Sequence, residues 1–598
     1  MSVGTTFNPK NPDIKLNSKP TFFPPLLKKL LDRRGLSDPE IAEMFLNPDY
    51  NRDTHNPYLL KDMAKTVERI VSAMENNERV AIYSDYDADG IPGAVILHDF
   101  FKKIGFNNFE NYIPDRHEEG FGVNLSAVED IAGRGATLLI TIDCGIADVL
   151  PIARAKELKI DTIITDHHEP NGEIPLAFAI LNPKQKDCDY PFKSLCGAGV
   201  VFKLVQAILQ KKREENGEKY IDNDVEKTGA GKLNWNISVG WEKWLLDMVG
   251  LATLSDMVPL TGENRALAHF GLTVLRKSPR IGLMKLLRLA RTNQRNMTED
   301  DVNFTITPRI NAASRMGVPH DAFELLATSD EIRAGLLIAH LNKINDERKG
   351  LVASIIKEVR QTISEREKEG RLREVIVMGH LHWKPAVLGL VANSLKDDHD
   401  RPVFLWGKEN GKTIKGSCRS DGRVSVVELM ESSRELFLTF GGHKMSGGFA
   451  VEQEKIHILE DALSASYQKL FLADSGELAE DFDDILTPDD INWNTYSVIE
   501  KMAPYGVGNP KPIFLFKNVK IAGVRPFGQT KNHLELSFEN SRGDIFNAIS
   551  FFTKTNDPLK NLKVGDTMNL KASLEKSFFK RYPELRLRIV GVYQSACV

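Results

Sequence analysis

Three short apolar runs stand out along the first third of this chain: Val80 to Tyr83, Thr137 to Ile142 and Asp161 to Thr165. Each is bounded by polar or Gly-containing sequence, as buried strands are. The segments between them carry helical patterns, as at Val149 to Leu158. That alternation predicts βαβ units around a parallel sheet. Each run also ends in chemistry-bearing residues: Asp85-Tyr86-Asp87-Ala88-Asp89-Gly90, Asp143-Cys144-Gly145 and Asp166-His167-His168. Open α/β sheets bind ligands outside the carboxyl ends of their strands. Motifs far apart in the chain are therefore expected to share one crevice.

The pattern continues beyond this first domain. Residues 1–75 read as an N-terminal extension, helical from about Pro24 to Glu75, and residues 76–330 as the first α/β domain. Leu337, Leu341, Ile344, Leu351, Ile355, Val359 and Ile363 recur at three- to four-residue steps with one seven-residue gap. That is one face of a long helix. With the charged stretch Glu365 to Arg373 at its end, 331–369 is read as a solvated helix connecting two domains. A second, smaller α/β domain over 370–455 opens at Val375-Ile376-Val377-Met378. Residues 456–598 hold a mixed linker and then alternating strands, among them His533 to Phe538 and Leu585 to Val592, which predict a small β-barrel or sandwich. The charged segment 210–235 reads as a surface insertion.

Composition narrows the class without naming it. A chain of 598 residues is too long for one core. Its 42% hydrophobic and 27% charged content is that of an ordinary soluble protein. The net charge of -4 gives no global attraction to nucleic acid, so any such binding must use local basic patches. Five cysteines without a C-x-x-C pair argue against a zinc knuckle or redox motif and fit a reducing cytoplasm. No run approaches the roughly 18 apolar residues that span a membrane. A cytoplasmic protein is the expectation.

Three carboxylates at alternate positions, Asp85, Asp87 and Asp89, repel one another unless cations neutralise them. A hard or borderline divalent metal is the natural partner. An EF-hand is disfavoured, because the twelfth position from Asp85 is Ile96 rather than Glu. Asp166-His167-His168 offers a metal ligand and a second group for phosphate or proton work. Asp256, in Ser255-Asp256-Met257-Val258-Pro259, ends an apolar helical run. A solvated turn or a helix-end acid accounts for any one of these motifs alone. Together they predict a metal-dependent phosphoesterase built on Asp87, Asp89, Asp143, His167 and Asp256.

The order Asp-x-Asp, Asp, Asp-His-His, Asp resembles the motif series of the DHH phosphoesterase superfamily. Three further segments resemble its single-strand-specific exonuclease branch: Pro308 to Gly317 with two arginines, Gly441-Gly442-His443-Lys444-Met445-Ser446-Gly447-Gly448, and Tyr505 to Pro510. The resemblance spans roughly residues 25–598. It implies a parallel-sheet DHH domain, a long helix, a smaller DHH-associated domain that binds nucleic acid, and a C-terminal OB-type β-barrel.

It also implies two ions of Mn2+ or Mg2+ per site. Asp87 would bind one, Asp89, His167 and Asp256 the other, and Asp143 would bridge them. His168 would contact the scissile phosphate or protonate the leaving oxygen. Arg309, Asn311 and Arg315, with Ser417, Arg419, Gly442 and His443, would bind substrate. The implied activity is 5′-to-3′ digestion of single-stranded DNA to 5′-mononucleotides, in recombination and repair. The alternative is a phosphodiesterase of short RNA or cyclic dinucleotides. Single-stranded DNA is the expected partner of a monomer, with a helicase and a single-strand-binding protein as candidates.

Three positions depart from the family pattern. Tyr83 stands where many members carry His, leaving Asp85 as a further candidate ligand. Lys384 and Ala386 stand in a usual Trp-His-Pro-Gly, and Cys418 at a usual Gly. Lys576 to Tyr582 interleaves cations with aromatics, a pattern shared by single-strand binders and ordinary barrel hairpins.

Overall fold

The computed structural model describes residues 23–170, 172–216, 233–408, 413–473, 482–528, 531–551, 553, 558–578 and 582–594. Most of the predicted insertion at 210–235, and Phe579, Lys580 and Arg581 of the aromatic–cationic stretch, lie outside these residues. The chain divides into two compact units, one of residues 50–479 with 504–509, the other of 1–49, 480–503 and 510–598.

The larger unit begins with a five-stranded sheet. Its strands are β1 (Val80–Ser84), β2 (Phe109–Tyr112), β3 (Leu138–Ile142), β4 (Asp161–Thr165) and β5 (Ala179–Leu181), ordered β2-β1-β3-β4-β5 with every pairing parallel. Alternate residues of the central strands face two separate cores. Val80, Ile82, Ile140 and Ile142 pack with helices Met63–Glu75, Gly90–Ile104 and Gly197–Glu215. Ala81, Tyr83, Leu139 and Ile164 pack with Leu125–Gly133 and Val149–Glu157. Burial on both faces explains the near-continuous apolar runs. The two strands that escape notice in the sequence lie at the sheet edges, where β2 is only half-buried and β5 has three residues.

The helix Glu331–Lys368 is 38 residues long. Ala334, Leu337, Ile338 and Leu341 belong to the first core, whereas Ile355, Val359 and Ile363 join the core of the following domain. Its apolar stripe is thus buried at both ends against different partners, and only the opposite face is solvated.

The second sheet comprises β6 (Ile376–His380), β7 (Val403–Lys408), β8 (Ile414–Arg419), β9 (Phe437–His443) and β10 (Ser446–Val451), ordered β6-β7-β8-β10-β9. Only β6 and β7 run parallel. Helix Pro385–His399 covers one face, with Val387, Leu388 and Val391 against Ile376 and Leu405. Leu459 and Leu463, from helix Leu459–Ala473, cover the other beside Leu429 and Phe449.

The other unit holds β11 (Asp484–Leu486), β12 (Phe514–Phe527), β13 (His533–Glu539), β14 (Ile545–Ser550), β15 (Thr567–Ser577) and β16 (Glu584–Gln594). Their pairings run β11-β12-β13-β14-β16-β15, and β15 also pairs with β12.

A buried ion pair ties the segment before β1 to the first domain. Lys203 Nζ lies 2.5 Å from Glu263 Oε1, and neither side chain reaches solvent. Glu263 also accepts from the Tyr190 hydroxyl at 2.7 Å and from the His55 amide at 3.1 Å, while Lys203 donates to the His55 carbonyl at 3.0 Å. Removing one partner strands the other charge. Glu263→Ala is expected to cost about 3–5 kcal/mol in urea unfolding, and the double change Lys203→Met with Glu263→Leu to recover most of that loss.

Candidate metal centre

The residues singled out at the strand ends meet in space. His167 Nε2 lies 3.1 Å from Asp143 Oδ1, 3.6 Å from Asp256 Oδ2 and 3.7 Å from Asp89 Oδ2. Three sets have ligand atoms within 4.8 Å of one another: Asp85, Asp87 and Asp143; Asp89, His167 and Asp256; and Asp143, His167 and His168. Asp143 is common to the first and third, and so lies between the two lobes of the cluster.

Local backbone structure explains each placement. β3 ends at Ile142, and Asp143 takes a left-handed conformation, φ 61°, that turns the chain sharply. Asp89 precedes helix Gly90–Ile104, and its carboxylate accepts from the Gly197 and Ala198 amides at 2.6 and 2.7 Å. Those amides open helix Gly197–Glu215, whose positive end favours an anion. Only glycine fits at 197, because a Cβ there would lie 2.7 Å from the Asp143 Cβ. Asp87 accepts from the Asp89 amide at 2.7 Å. Asp256 follows the last residue of helix Leu246–Ser255.

Asp166 acts as a scaffold. It accepts from the amides of Ile146, His167 and His168, and its Oδ1 lies 2.8 Å from His168 Nδ1. Burial alone would raise its pKa, but these bonds hold the carboxyl below its ordinary range. Burial likewise opposes a charge on His168, yet the contact with Asp166 outweighs it and raises the imidazole pKa.

The donor set fits divalent cations. Asp85 Oδ1, Asp143 Oδ1, Asp256 Oδ2 and His167 Nε2 are buried and have no hydrogen-bond partner. Buried polar atoms are rarely left so. Burial, and then the neighbouring carboxylates, push the Asp85, Asp143 and Asp256 carboxyls well up, and Asp89 to about 7. Burial and the adjacent His168 push His167 down to about 3, keeping it neutral as a metal ligand must be. Crowded acids around a neutral imidazole need positive charge from elsewhere.

Tyr83 stands apart from this set. It is fully buried, and its hydroxyl donates to the Gly122 carbonyl at 2.8 Å.

The residues expected at the substrate divide. Asn311 accepts from the Ala88 amide at 3.0 Å and so braces the Asp87–Asp89 turn. Arg309 donates to the Thr305 carbonyl at 2.7 Å, with its Nε buried and unpartnered. Arg315 donates to the Ala386 carbonyl, in the first turn of helix Pro385–His399. Arg419 packs on Gly389, one turn further along that helix. In the β8–β10–β9 ladder, Arg419 and His443 both pair with Ser446, while Ser417 pairs with Gly448. Ser417, Arg419 and His443 therefore share one face.

Two further arginines were not singled out from sequence. Burial, then the charges of Arg116, Arg348 and Arg419, push the Arg315 pKa down. Arg116 lies 5.2 Å over the Tyr86 ring. Arg348 sits in the seven-residue gap of the long helix, four residues after Ile344, where the apolar stripe would otherwise continue. That interruption is the signal that could have found it.

Buried carboxylates and an imidazole at the carboxyl end of a parallel sheet make a candidate divalent-metal centre of an α/β protein. Comparisons with known proteins make the class specific. The DHH family N-terminal domain matches residues 79–228, the DHHA1 domain 373–469 and the RecJ OB domain 482–591. The single-stranded-DNA-specific exonuclease RecJ of Bacillus subtilis is 34% identical over 545 residues, covering 90% of this chain and 64% of the relative. The protein of the same name from Haemophilus influenzae is 30% identical over 554 residues, covering 89% and 90%. A crystal structure of RecJ from Thermus thermophilus in complex with Mn2+ has TM-score 0.74 at 25% identity, covering 96% of this chain and 76% of that one. The exonuclease RecJ bound to manganese has TM-score 0.54 at 29% identity, covering 69% and 95%. This chain belongs to the RecJ family.

Among the described residues no helix is long and apolar enough to cross a membrane.

Without metal, Asp89 carries a folded-state pKa of about 7 against an ordinary 3.8. Its contribution to stability is fully present below about pH 4 and lost as pH rises through about 7. The metal-free protein should therefore melt lower at pH 8 than at pH 6. The rise in melting temperature on adding Mn2+ should grow over the same interval, and Asp89→Asn should flatten the metal-free trend. Thermal melts in EDTA and in Mn2+ check this.

Proposed function

We propose that this chain hydrolyses single-stranded DNA from its 5′ end, releasing 5′-mononucleotides, with two divalent cations of Mn2+ or Mg2+. The observation that carries the proposal is the set of buried, unpartnered ligand atoms on Asp85, Asp143, Asp256 and His167. Asp85, Asp87 and Asp143 would hold one cation, and Asp89, His167 and Asp256 the other. With Tyr83 bonded to Gly122, Asp85 completes the first of these sets. Held there, such cations would supply Lewis acidity for the phosphoryl oxygens, a water activated at neutral pH and counter-charge for the leaving oxygen.

The side chains prepare and orient the reaction. Asp166 anchors His168 through Nδ1, leaving the other ring nitrogen for the substrate, and the same contact favours the protonated imidazole that a donor to the leaving oxygen would be. Burial, then the charges of Arg116, Arg348 and Arg419, disfavour the charge on Arg315, and an anion among them would offset this. Phosphate groups of a strand supply that anion, and guanidinium forks match their oxygens. Ser417, Arg419 and His443, on one face of the second sheet, would take the 5′-terminal phosphate, with Gly442 next to His443 in β9.

Single-strand specificity is supported by the names of the relatives and by the RecJ OB domain match. That match disfavours short RNA and cyclic dinucleotides. An enzyme confined to single strands needs a partner that opens duplexes, so a helicase and a single-strand-binding protein belong to the proposal. So do action as a cytoplasmic monomer and a role in recombination and repair.

Asp143→Ala is expected to lower Mn2+-dependent digestion of end-labelled single strands by more than about a thousandfold. Binding of the same strands, read by fluorescence anisotropy, should stay within a few-fold. Joint loss of both would point to misfolding, and unchanged digestion would remove Asp143 from the reaction. Arg419→Ala should erode the preference for 5′-phosphate over 5′-hydroxyl ends, about tenfold in relative kcat/KM. An unchanged preference would take the 5′ end away from this pocket.

A further inference from the structure

The open edge of the second sheet borders a cavity of about 400 Å³ that the metal centre does not use. β6 is that edge strand, paired on one side only, with β7. The Ile376 amide donates to the Pro402 carbonyl at 2.9 Å, which sets the phase of the ladder. In a parallel pair, alternate residues turn both backbone groups to the same side. Ile376, Met378 and His380 therefore face β7, and Val377 and Gly379 face the cavity. The Val377 amide meets Glu460 Oε1 at 3.4 Å. Gly379 has no such contact among the described residues.

Two walls rise beside this edge. The long helix contributes Glu358 and Arg366, and the segment entering helix Leu459–Ala473 contributes His457 and Glu460. Arg366 reaches across to Glu460 at 2.8 and 3.1 Å and closes one end. The other end, at His380, is exposed. Trp406 lies against Gly379, where a Cβ would collide with the indole. Trp383, from the Trp383-Lys384-Pro385-Ala386 segment, lines the same cavity and donates from Nε1 to Glu358 Oε2 at 3.2 Å. Sheet edges are ordinarily blunted by prolines, bulges, inward charges or a covering element. Ile376 to His380 contains no proline and pairs without a bulge, and beyond Glu460 the walls leave the edge open.

A row of unpaired backbone groups is met by another extended backbone. The charges select its side chains. Glu460 is neutralised by Arg366, whereas Glu358 forms no ion pair among the described residues. A carboxylate beside two indole rings suits a lysine or arginine. We propose that this edge is a docking site for an extended segment of a separate protein, which adds a strand to β6 and sets a lysine or arginine between Glu358 and the two tryptophans. None of these residues belongs to the metal centre or to the face of Ser417, Arg419 and His443, so the proposal stands apart from the nuclease reading.

The test screens the full-length protein against a display library of random heptapeptides, with Glu358→Lys protein screened in parallel. The most enriched peptide, synthesised with a fluorescent label, is then the probe. Enriched sequences should carry lysine or arginine within an alternating pattern. Glu358→Lys should weaken the Kd of the probe about tenfold, and Glu358→Gln by less. N-methylation of one alternate set of peptide nitrogens should abolish binding, and methylation of the other set should leave it. Bound probe should slow hydrogen exchange at the Gly379 amide. Digestion of single strands and the melting temperature should stay at wild-type values in Glu358→Gln, which keeps a hydrogen-bond acceptor for Trp383.

Peptides that lack a basic residue, that enrich equally on both proteins or that fail to enrich would overturn the proposal. So would a probe indifferent to which nitrogens are methylated, or one that leaves Gly379 exchange unaltered. A wild-type dimer in sedimentation that Glu358→Gln dissociates would instead assign the edge to a second copy of this chain.

Discussion

Carboxylates crowded into a largely buried site are the constraint around which this molecule is organised. Without positive charge among them they hold protons to higher pH than ordinary carboxyls do, and the folded backbone keeps them together against their repulsion. The start of helix Gly197–Glu215 grips Asp89, and a left-handed turn at the end of β3 aims Asp143 inward. Asp166 accepts from three backbone amides and contacts the His168 ring, and it orients both histidines rather than joining the cluster. Two carboxylates a strand apart, one starved of partners and one saturated with them, thereby do different work.

The same unit keeps its unsatisfied positive charge close by. Arg315 belongs to the first domain, yet it reaches the first turn of helix Pro385–His399 in the second, where Arg419 also packs. Crowded acids and crowded guanidiniums call for opposite counter-charges, which under the proposed function are cations and phosphates. A net charge of -4 conceals this separation because it sums over both.

Much of this was legible in the chain. The alternation of apolar runs located β1, β3 and β4, because strands buried on both faces have little choice of residue. The acidic motifs were legible for the same reason, since each directly follows such a strand. Edge strands β2 and β5 left no comparable trace, one being half-buried and the other three residues long. Asn311 drew notice as a substrate contact, but its engagement with Ala88 depends on a fold-back of the chain that no local pattern encodes. Arg348 left a trace only as a gap in a periodicity. The hydroxyl of Tyr83 could be understood only once Gly122 lay above it.

The long helix has a mechanical consequence. At 38 residues it spans roughly 57 Å, and its two halves are embedded in different cores. It works as a shaft rather than a tether. One residue inserted between Ile344 and Ile355 would turn the second domain by about 100° against the first. The face that carries Arg419 would swing away from the acids it accompanies. Loops on this scaffold can lengthen at little cost. The shaft cannot change by a single residue without losing the alignment between the two halves of the site.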